Sequence, residues 1–230
     1  MSSSGNDSLP NFETIALTRK GRLLTIMLNL PDNLNGVNGQ MHAELPEAIL
    51  FATKDAHSDV IVLTGAGRAF SAGGDIKHIN LHAQNPEQFD RELRLAKRII
   101  FAILDMEKPL ICRLNGHAVG LGATLALFCD VVFAAENAKI GDPHVGVGLV
   151  AGDGGAVIWP QLVGFHRAKE FLMTGELLTA KRACEIGLVN YCLPRAELDV
   201  AVDAFCNRLL DGAQNAIRWT KSLVNLELKR

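Results

Sequence analysis

The chain has 230 residues, 48% of them hydrophobic and 21% charged, with a formal net charge of −2 at pH 7. That is ample apolar sequence for one α/β core, and the near-neutral balance without a long basic run excludes bulk attraction to nucleic acid. No apolar run approaches the roughly 20 residues of a membrane span, and the odd number of cysteines, mostly in apolar surroundings, indicates reduced thiols; a cytoplasmic protein with no membrane partner is expected.

Residues 1–10 (MSSSGNDSLP) are polar, lack a signal-peptide core and read as a disordered leader. Residues 12–17 and 23–28 are β-rich runs on either side of Lys20-Gly21, a hairpin signal. Asn38 is placed to cap a helix through MHAELPEAILFATKD, in which Pro46 predicts a kink or a late start. Residues 59–64 form a short, continuously apolar run, the pattern of a strand buried on both faces. A glycine loop follows, then a polar segment and a predicted helix at about 86–106. The order repeats: a buried strand at 110–114, a second glycine loop, an apolar helix, Asp130 in a structural role, and a strand at 131–134. Helices are predicted near 156–162, 167–173, 179–186 and 196–210, and a helical pattern continues to the last residue. This alternation argues for an α/β layered core with a more helical C-terminal region.

Two loops, AGRAFSAGGDI after the third strand and NGHAVGLGATLAL after the next, need glycine for positive φ and close backbone approach. The second opens into a helix, so amides near Leu121 lie at a helix N-terminus with no intrahelical acceptor. Two such N–H groups converging from separate loops would make an oxyanion hole. A dinucleotide fingerprint fails for want of the third glycine and the acidic residue, and a P-loop fails for want of Gly-Lys-Ser/Thr. On residue types alone, a structural turn and an anion site both stand.

Residues Arg68-Ala69-Phe70-Ser71-Ala72-Gly73-Gly74-Asp75-Ile76 and Asn115-Gly116-His117-Ala118-Val119-Gly120-Leu121-Gly122 resemble the paired signature loops of the enoyl-CoA hydratase/isomerase (crotonase) superfamily, a likeness running from the hairpin to about Arg218. The resemblance implies a crotonase-like spiral of ββα units over residues 11–195, with 196–230 an incomplete helical trimerisation region. It implies an acyl-CoA thioester substrate, coenzyme A entering only as part of that substrate, and self-association as a homotrimer or hexamer. The thioester oxygen would sit between the N–H groups of Gly74 and Leu121, and Ala72, Asp75 and Ile76 would line the adenine and pantetheine path.

The family's usual hydratases carry two glutamates, suited to moving one proton off water and delivering another to carbon. Here those positions fall on Thr124 and His144, neither a carboxylate. Imidazole titrates near physiological pH, and Asp153, nine residues on in Gly152-Asp153-Gly154-Gly155, is placed to orient His144 or share its proton. This His/Asp signature, with His42 in MHAEL, resembles the β-diketone hydrolase branch of the superfamily, which cleaves a C–C bond by a retro-Claisen route. Three readings follow: an acyl-CoA hydratase or isomerase working through a thioester enolate, a C–C hydrolase, or a non-catalytic binder of CoA ligands. Asp153 has the alternative role of N-cap to a helix beginning at Gly154, and His42 that of an ordinary core histidine. His78, His82 and His166 show no metal-ligand spacing, so no metal is expected.

Overall fold

The computed structural model describes residues 8–74 and 86–229. Strands β1 (Ile15–Lys20), β2 (Leu23–Leu28), β3 (Val60–Gly65), β5 (Leu110–Leu114), β7 (Val131–Ala135) and β10 (Tyr191–Leu193) form a six-stranded sheet in the order β1-β2-β3-β5-β7-β10. Only the β1–β2 hairpin is antiparallel, its turn falling on Gly21 and Arg22, one residue later than Lys20-Gly21 suggested. The first strand likewise starts at Ile15 rather than at residue 12. A second sheet, not anticipated from the sequence, joins β4 (Ala69–Ser71), β6 (His117–Val119), β8 (Lys139–Gly141) and β9 (Leu178–Thr179) in that order. It is parallel from β4 to β8 and antiparallel at β9.

The described helices are α1 (Gly39–Lys54), α2 (Pro86–Asp105), α3 (Leu121–Leu127), α4 (Gly155–Val163), α5 (Phe165–Thr174), α6 (Ala180–Glu185), α7 (Arg195–Leu210) and α8 (Gln214–Asn225). Asn38 caps α1 as its type predicts, its side-chain oxygen accepting from Met41 N at 2.9 Å. The helix starts at Gly39 and runs through Pro46 rather than starting late. The proline withdraws the amide that would bond the His42 carbonyl one turn earlier. At the C-terminal end the helical pattern is broken: α8 stops at Asn225 and a 3-10 turn, Glu227–Lys229, follows. Among the described residues no helix is long and apolar enough to cross a membrane, and all five cysteines are free thiols.

The continuous apolar runs are explained by the two faces of the large sheet. Side chains alternate along a strand, so Ile61, Leu63, Leu110, Cys112, Leu114, Val132 and Ala134 point into the main core, which also takes α1 residues Met41, Leu45 and Ile49. Val60, Val62, Ile111, Phe133 and Ala135 point the other way, against Leu198, Val202 and Cys206 of α7. Helix α7 therefore supplies the cover of the sheet's second face. Burying a leucine such as Leu63 stabilises the fold by about 1.5–3 kcal/mol.

The chain repeats one unit: β3-β4-α2, then β5-β6-α3, then β7-β8-α4. Each unit places one strand in each sheet, and successive units are neighbours in both. This is the spiral of ββα units, and it fixes where chemistry can be assembled. Because β4, β6 and β8 are parallel neighbours, the segments leaving their C-terminal ends emerge side by side. Those segments are Ala72-Gly73-Gly74, Gly120-Leu121 and Asp142-Pro143-His144.

Candidate active site

Buried amides hold the first loop. Asn35, fully buried, donates from Nδ2 to the carbonyls of Ala66 (2.8 Å) and Ala69 (2.9 Å). Asn115 donates to Gly67 O (3.1 Å) and accepts from Gly65 N (3.0 Å). The loop's exit is tied down by Ala72 N to Leu34 O (2.9 Å), Val37 N to Gly73 O (2.7 Å) and a parallel bridge between Val37 and Gly74. Gly73 is required twice over: its φ is +86°, and a Cβ there would overlap the Val119 carbonyl and stand 3.5 Å from Leu121 N. The two signature loops are thus in backbone contact. Gly74 is half-buried, Leu121 is buried and Ala72 is exposed. Asp75 and Ile76, expected to line the substrate path, lie outside the described residues, as do His78 and His82.

Gly120, at φ +54°, turns the chain from β6 into α3, so Leu121, Gly122 and Ala123 begin the helix with amides that have no intrahelical acceptor. Its own N–H is spent on Gly141 O at 2.9 Å, which joins the second loop to the third. A Cβ on Gly120 would lie 3.4 Å from Cε1 and 3.7 Å from Nε2 of His144. The Cε1–Nε2 edge of the imidazole therefore stands close to the residue that precedes Leu121.

Around His144 the fold gathers three more polar side chains. Nδ1 is hydrogen-bonded to Asp142 Oδ1, which also accepts from the His144 backbone N–H at 3.3 Å. Nε2 faces Asp153 Oδ2 at 3.6 Å, too far for a hydrogen bond but close for an ion pair. Thr124, fully buried one turn into α3, donates from Oγ1 to Asp153 Oδ1 at 3.0 Å. Asp153 is not an N-cap: α4 starts at Gly155 with Gly154 as its cap residue, and Gly155 N reaches Asp153 Oδ1 only at 3.4 Å. His42 is buried in the first turn of α1 and is not part of the group formed by Asp142, His144 and Asp153, whose donor atoms all lie within 4.8 Å of one another. That spacing would suit a cation, but the ring nitrogen on the Asp142 side is already committed to a hydrogen bond. His166, on α5, and Asp130 lie elsewhere; Asp130 accepts from Leu110 N at 2.7 Å and pairs with Lys221 at 2.8 Å, the structural role expected of it.

Electrostatics links His144 and Asp153, each acting on the other's pKa. Burial is the largest influence on His144 and disfavours its charge, yet the Asp142 hydrogen bond and the charges of Asp153 and Asp142 together hold its pKa above the ordinary histidine value. Burial also dominates at Asp153 and, with repulsion from Asp142, keeps its pKa raised against the opposing pull of His144 and Thr124. Both groups hold their proton more firmly than in water. A ring that gives Nδ1–H to Asp142 turns the Nε2 lone pair toward Asp153, so the pair is comfortable only with one proton between them. Such a pair can take a proton from a substrate or water and return it.

Asp142 is the residue the sequence reading missed. In Gly-Asp-Pro-His an aspartate before proline reads as a turn former. The signal available was its place two residues before a candidate acid/base, where an Asx-type side chain can reach back to the chain two residues on.

The enoyl-CoA hydratase/isomerase family profile matches residues 18–230. A crotonyl-CoA hydratase of Syntrophomonas wolfei is 36% identical over 216 residues, covering 93% of this chain and 82% of its own. A 1,2-epoxyphenylacetyl-CoA isomerase of Escherichia coli is 37% identical over 177 residues, 73% of this chain and 64% of its own. The crystal structure of an enoyl-CoA hydratase/isomerase from Mycobacterium paratuberculosis superposes with a TM-score of 0.91 at 37% identity, covering 96% of this chain and 88% of that one. A hydratase and an isomerase stand at nearly equal identity, so likeness does not choose between the two reactions. The profile spans nearly the whole chain, and the chain belongs to the enoyl-CoA hydratase/isomerase (crotonase) superfamily.

Proposed function

We propose that the protein is an acyl-CoA enzyme of the hydratase/isomerase type that works through a thioester enolate. The observation that carries this reading is the His144 ring lying against Gly120, beside the helix-start amide of Leu121 and next to the Gly73-Gly74 loop. The thioester oxygen is bound by the N–H groups of Gly74 and Leu121, where negative charge develops as a proton leaves or a nucleophile adds. His144 and Asp153 exchange the proton with water or with the carbons next to the thioester, and Thr124 holds Asp153 in place rather than serving as a base. Ala72 borders the pantetheine and adenine, and coenzyme A is carried in with the substrate. Crotonyl-CoA, named for the Syntrophomonas wolfei relative, is the first substrate to try. Assembly as a trimer or hexamer in the cytoplasm belongs to the same reading.

The test is exchange of the α-proton of a short acyl-CoA in heavy water, run beside loss of the conjugated absorbance of crotonyl-CoA. Exchange that disappears in His144→Ala is the expected result. Failure of calorimetry to detect any acyl-CoA at high micromolar concentration would sink the proposal.

The paired histidine and aspartate, in place of two carboxylates, favour one second reading: cleavage of a β-diketone, with His144 and Asp153 activating water and the same amides holding the departing enolate. Ring opening of a cyclic diketone without coenzyme A would establish it, and a silent diketone panel beside active crotonyl-CoA turnover would remove it.

A further inference from the structure

We propose that Asp142 is the positioning residue of this site: it fixes His144 in the tautomer with Nδ1–H toward Asp142, leaving Nε2 as the one ring nitrogen open to Asp153 and to a substrate beside Leu121. For its effect on turnover this rests on the acyl-CoA reading; for its effect on the ring it does not.

The geometry is that of a clamp. Asp142 Oδ1 engages both the backbone N–H and the ring Nδ1 of His144, two residues on, with Pro143 stiffening the turn between them. The Asp142 side chain is fully buried. Its other oxygen lies over Gly155, the first residue of α4, so closely that a Cβ there would overlap it. A helix N-terminus favours negative charge at that point. The aspartate therefore has α4 close behind it, with no hydrogen bond to that oxygen, and holds the ring from the front. A carboxylate accepts and cannot donate, so the nitrogen facing it must carry the hydrogen whatever the ring's charge. The ring's opposite nitrogen then faces Asp153, which Thr124 holds in turn. The result is a line, Asp142–His144–Asp153–Thr124, in which only the middle contact is free to gain or lose a proton. Helix α5 also packs against this turn, but its titratable and charged residues His166, Arg167, Lys169 and Glu170 are exposed, as is Glu176 just beyond it. The carboxylates of Asp142 and Asp153 are the charges that act on the ring.

The proposal is tested on the ring itself. Histidine-labelled protein is titrated by nitrogen–proton NMR, with His144→Gln used to assign the signal. The neutral ring of the unsubstituted protein is expected as the Nδ1–H tautomer, the minor form of free histidine. In Asp142→Ala it reverts to Nε2–H and its titration midpoint falls. Asp142→Asn keeps the side-chain volume, so it is expected to fold even where Asp142→Ala does not, and the same fall in midpoint is expected. On crotonyl-CoA both variants lose kcat on the order of 100-fold with KM changed less than about threefold, because outer groups that orient an active imidazole act on chemistry more than on binding. An Nε2–H neutral ring in the unsubstituted protein overturns the proposal. So does an Asp142→Asn variant with unchanged titration midpoint and unchanged pH–rate profile. If the unsubstituted protein turns over no acyl-CoA while the tautomer behaves as stated, the acyl-CoA reading fails and the positioning role stands.

Discussion

The two sheets are built on opposite terms. Most strands of the larger sheet have five or six residues, and their side chains alternate into two apolar layers, so a single strand such as β3 is buried along its whole length. Strands of the smaller sheet have two or three residues, too few to carry an apolar stripe, and they are held by loop amides, glycine contacts and neighbouring strands. Yet the C-terminal ends of β4, β6 and β8 deliver every described residue of the proposed oxyanion hole together with His144 and Asp142. On the proposed reading, stability is concentrated in one sheet and chemistry in the other, and substitutions in the two should separate.

The sharpest separation is expected from His144→Ala, which should lower turnover of crotonyl-CoA by about 10²–10⁴-fold, the range for loss of a general acid/base. The protein should stay folded, with melting lowered by what Asp142, whose side chain is fully buried, loses in its ring partner. Failure to fold would instead make His144 a structural residue. The reverse case is Leu63→Ala in β3, expected to cost about 2–5 kcal/mol by urea titration while the folded fraction keeps its activity per molecule. Lost activity in fully folded protein would break the division between the sheets.

A smaller effect is expected from Thr124→Val, which keeps the shape but removes the donor to Asp153. Turnover should fall about tenfold, in line with one hydrogen bond to a charged group, and the alkaline limb of the pH–rate profile should move to higher pH. The sign follows from Thr124 stabilising the Asp153 carboxylate: without it the pair keeps its proton to higher pH. An unmoved profile would show that Thr124 does not act through the pair.

The smallest effect is at Glu44, buried on α1, which accepts from Glu13 N and Thr14 N, both at 2.9 Å, and from Thr14 Oγ1 at 2.5 Å. Burial raises its pKa, but the hydrogen bonds of Thr14, Glu13 and Gln40 outweigh it and leave the pKa lowered. Glu44 therefore stabilises the fold above its unfolded pKa, and that contribution is lost as pH falls through the folded value. Glu44→Gln should cost about 1 kcal/mol at neutral pH and flatten the acid limb of stability without touching turnover. An unchanged acid limb would place the acid-labile groups elsewhere.

What the sequence disclosed follows the same division. Strands 59–64, 110–114 and 131–134 were legible because burial on both faces calls for near-continuous apolar runs, and strand 23–28 as a β-rich run beside a hairpin signal; their observed limits differ by at most one residue. Helix α1 was legible through its cap at Asn38. Strands β4, β6, β8 and β9 were not, since three residues show no period and Ala-Phe-Ser or Lys-Ile-Gly reads as loop. His144, Asp153 and Thr124 were found as residues, but their hydrogen bonding was not, because it depends on three segments meeting across the spiral. Asp142 was hidden by its own turn, and His42, singled out by motif, is not among the three donors grouped around His144.

The oxyanion site and the proton site also differ in what can alter them. The proposed anion-binding groups are backbone amides, set by glycines whose replacement would collide with neighbouring backbone. Only substitution by proline, which has no N–H, removes such a donor outright. The proposed proton-handling groups are side chains on a turn, a loop and a helix face, each open to replacement one at a time. On the proposed reading, the grip on an oxyanion is rigid while the reaction carried out there is open to change at His144 and Asp153.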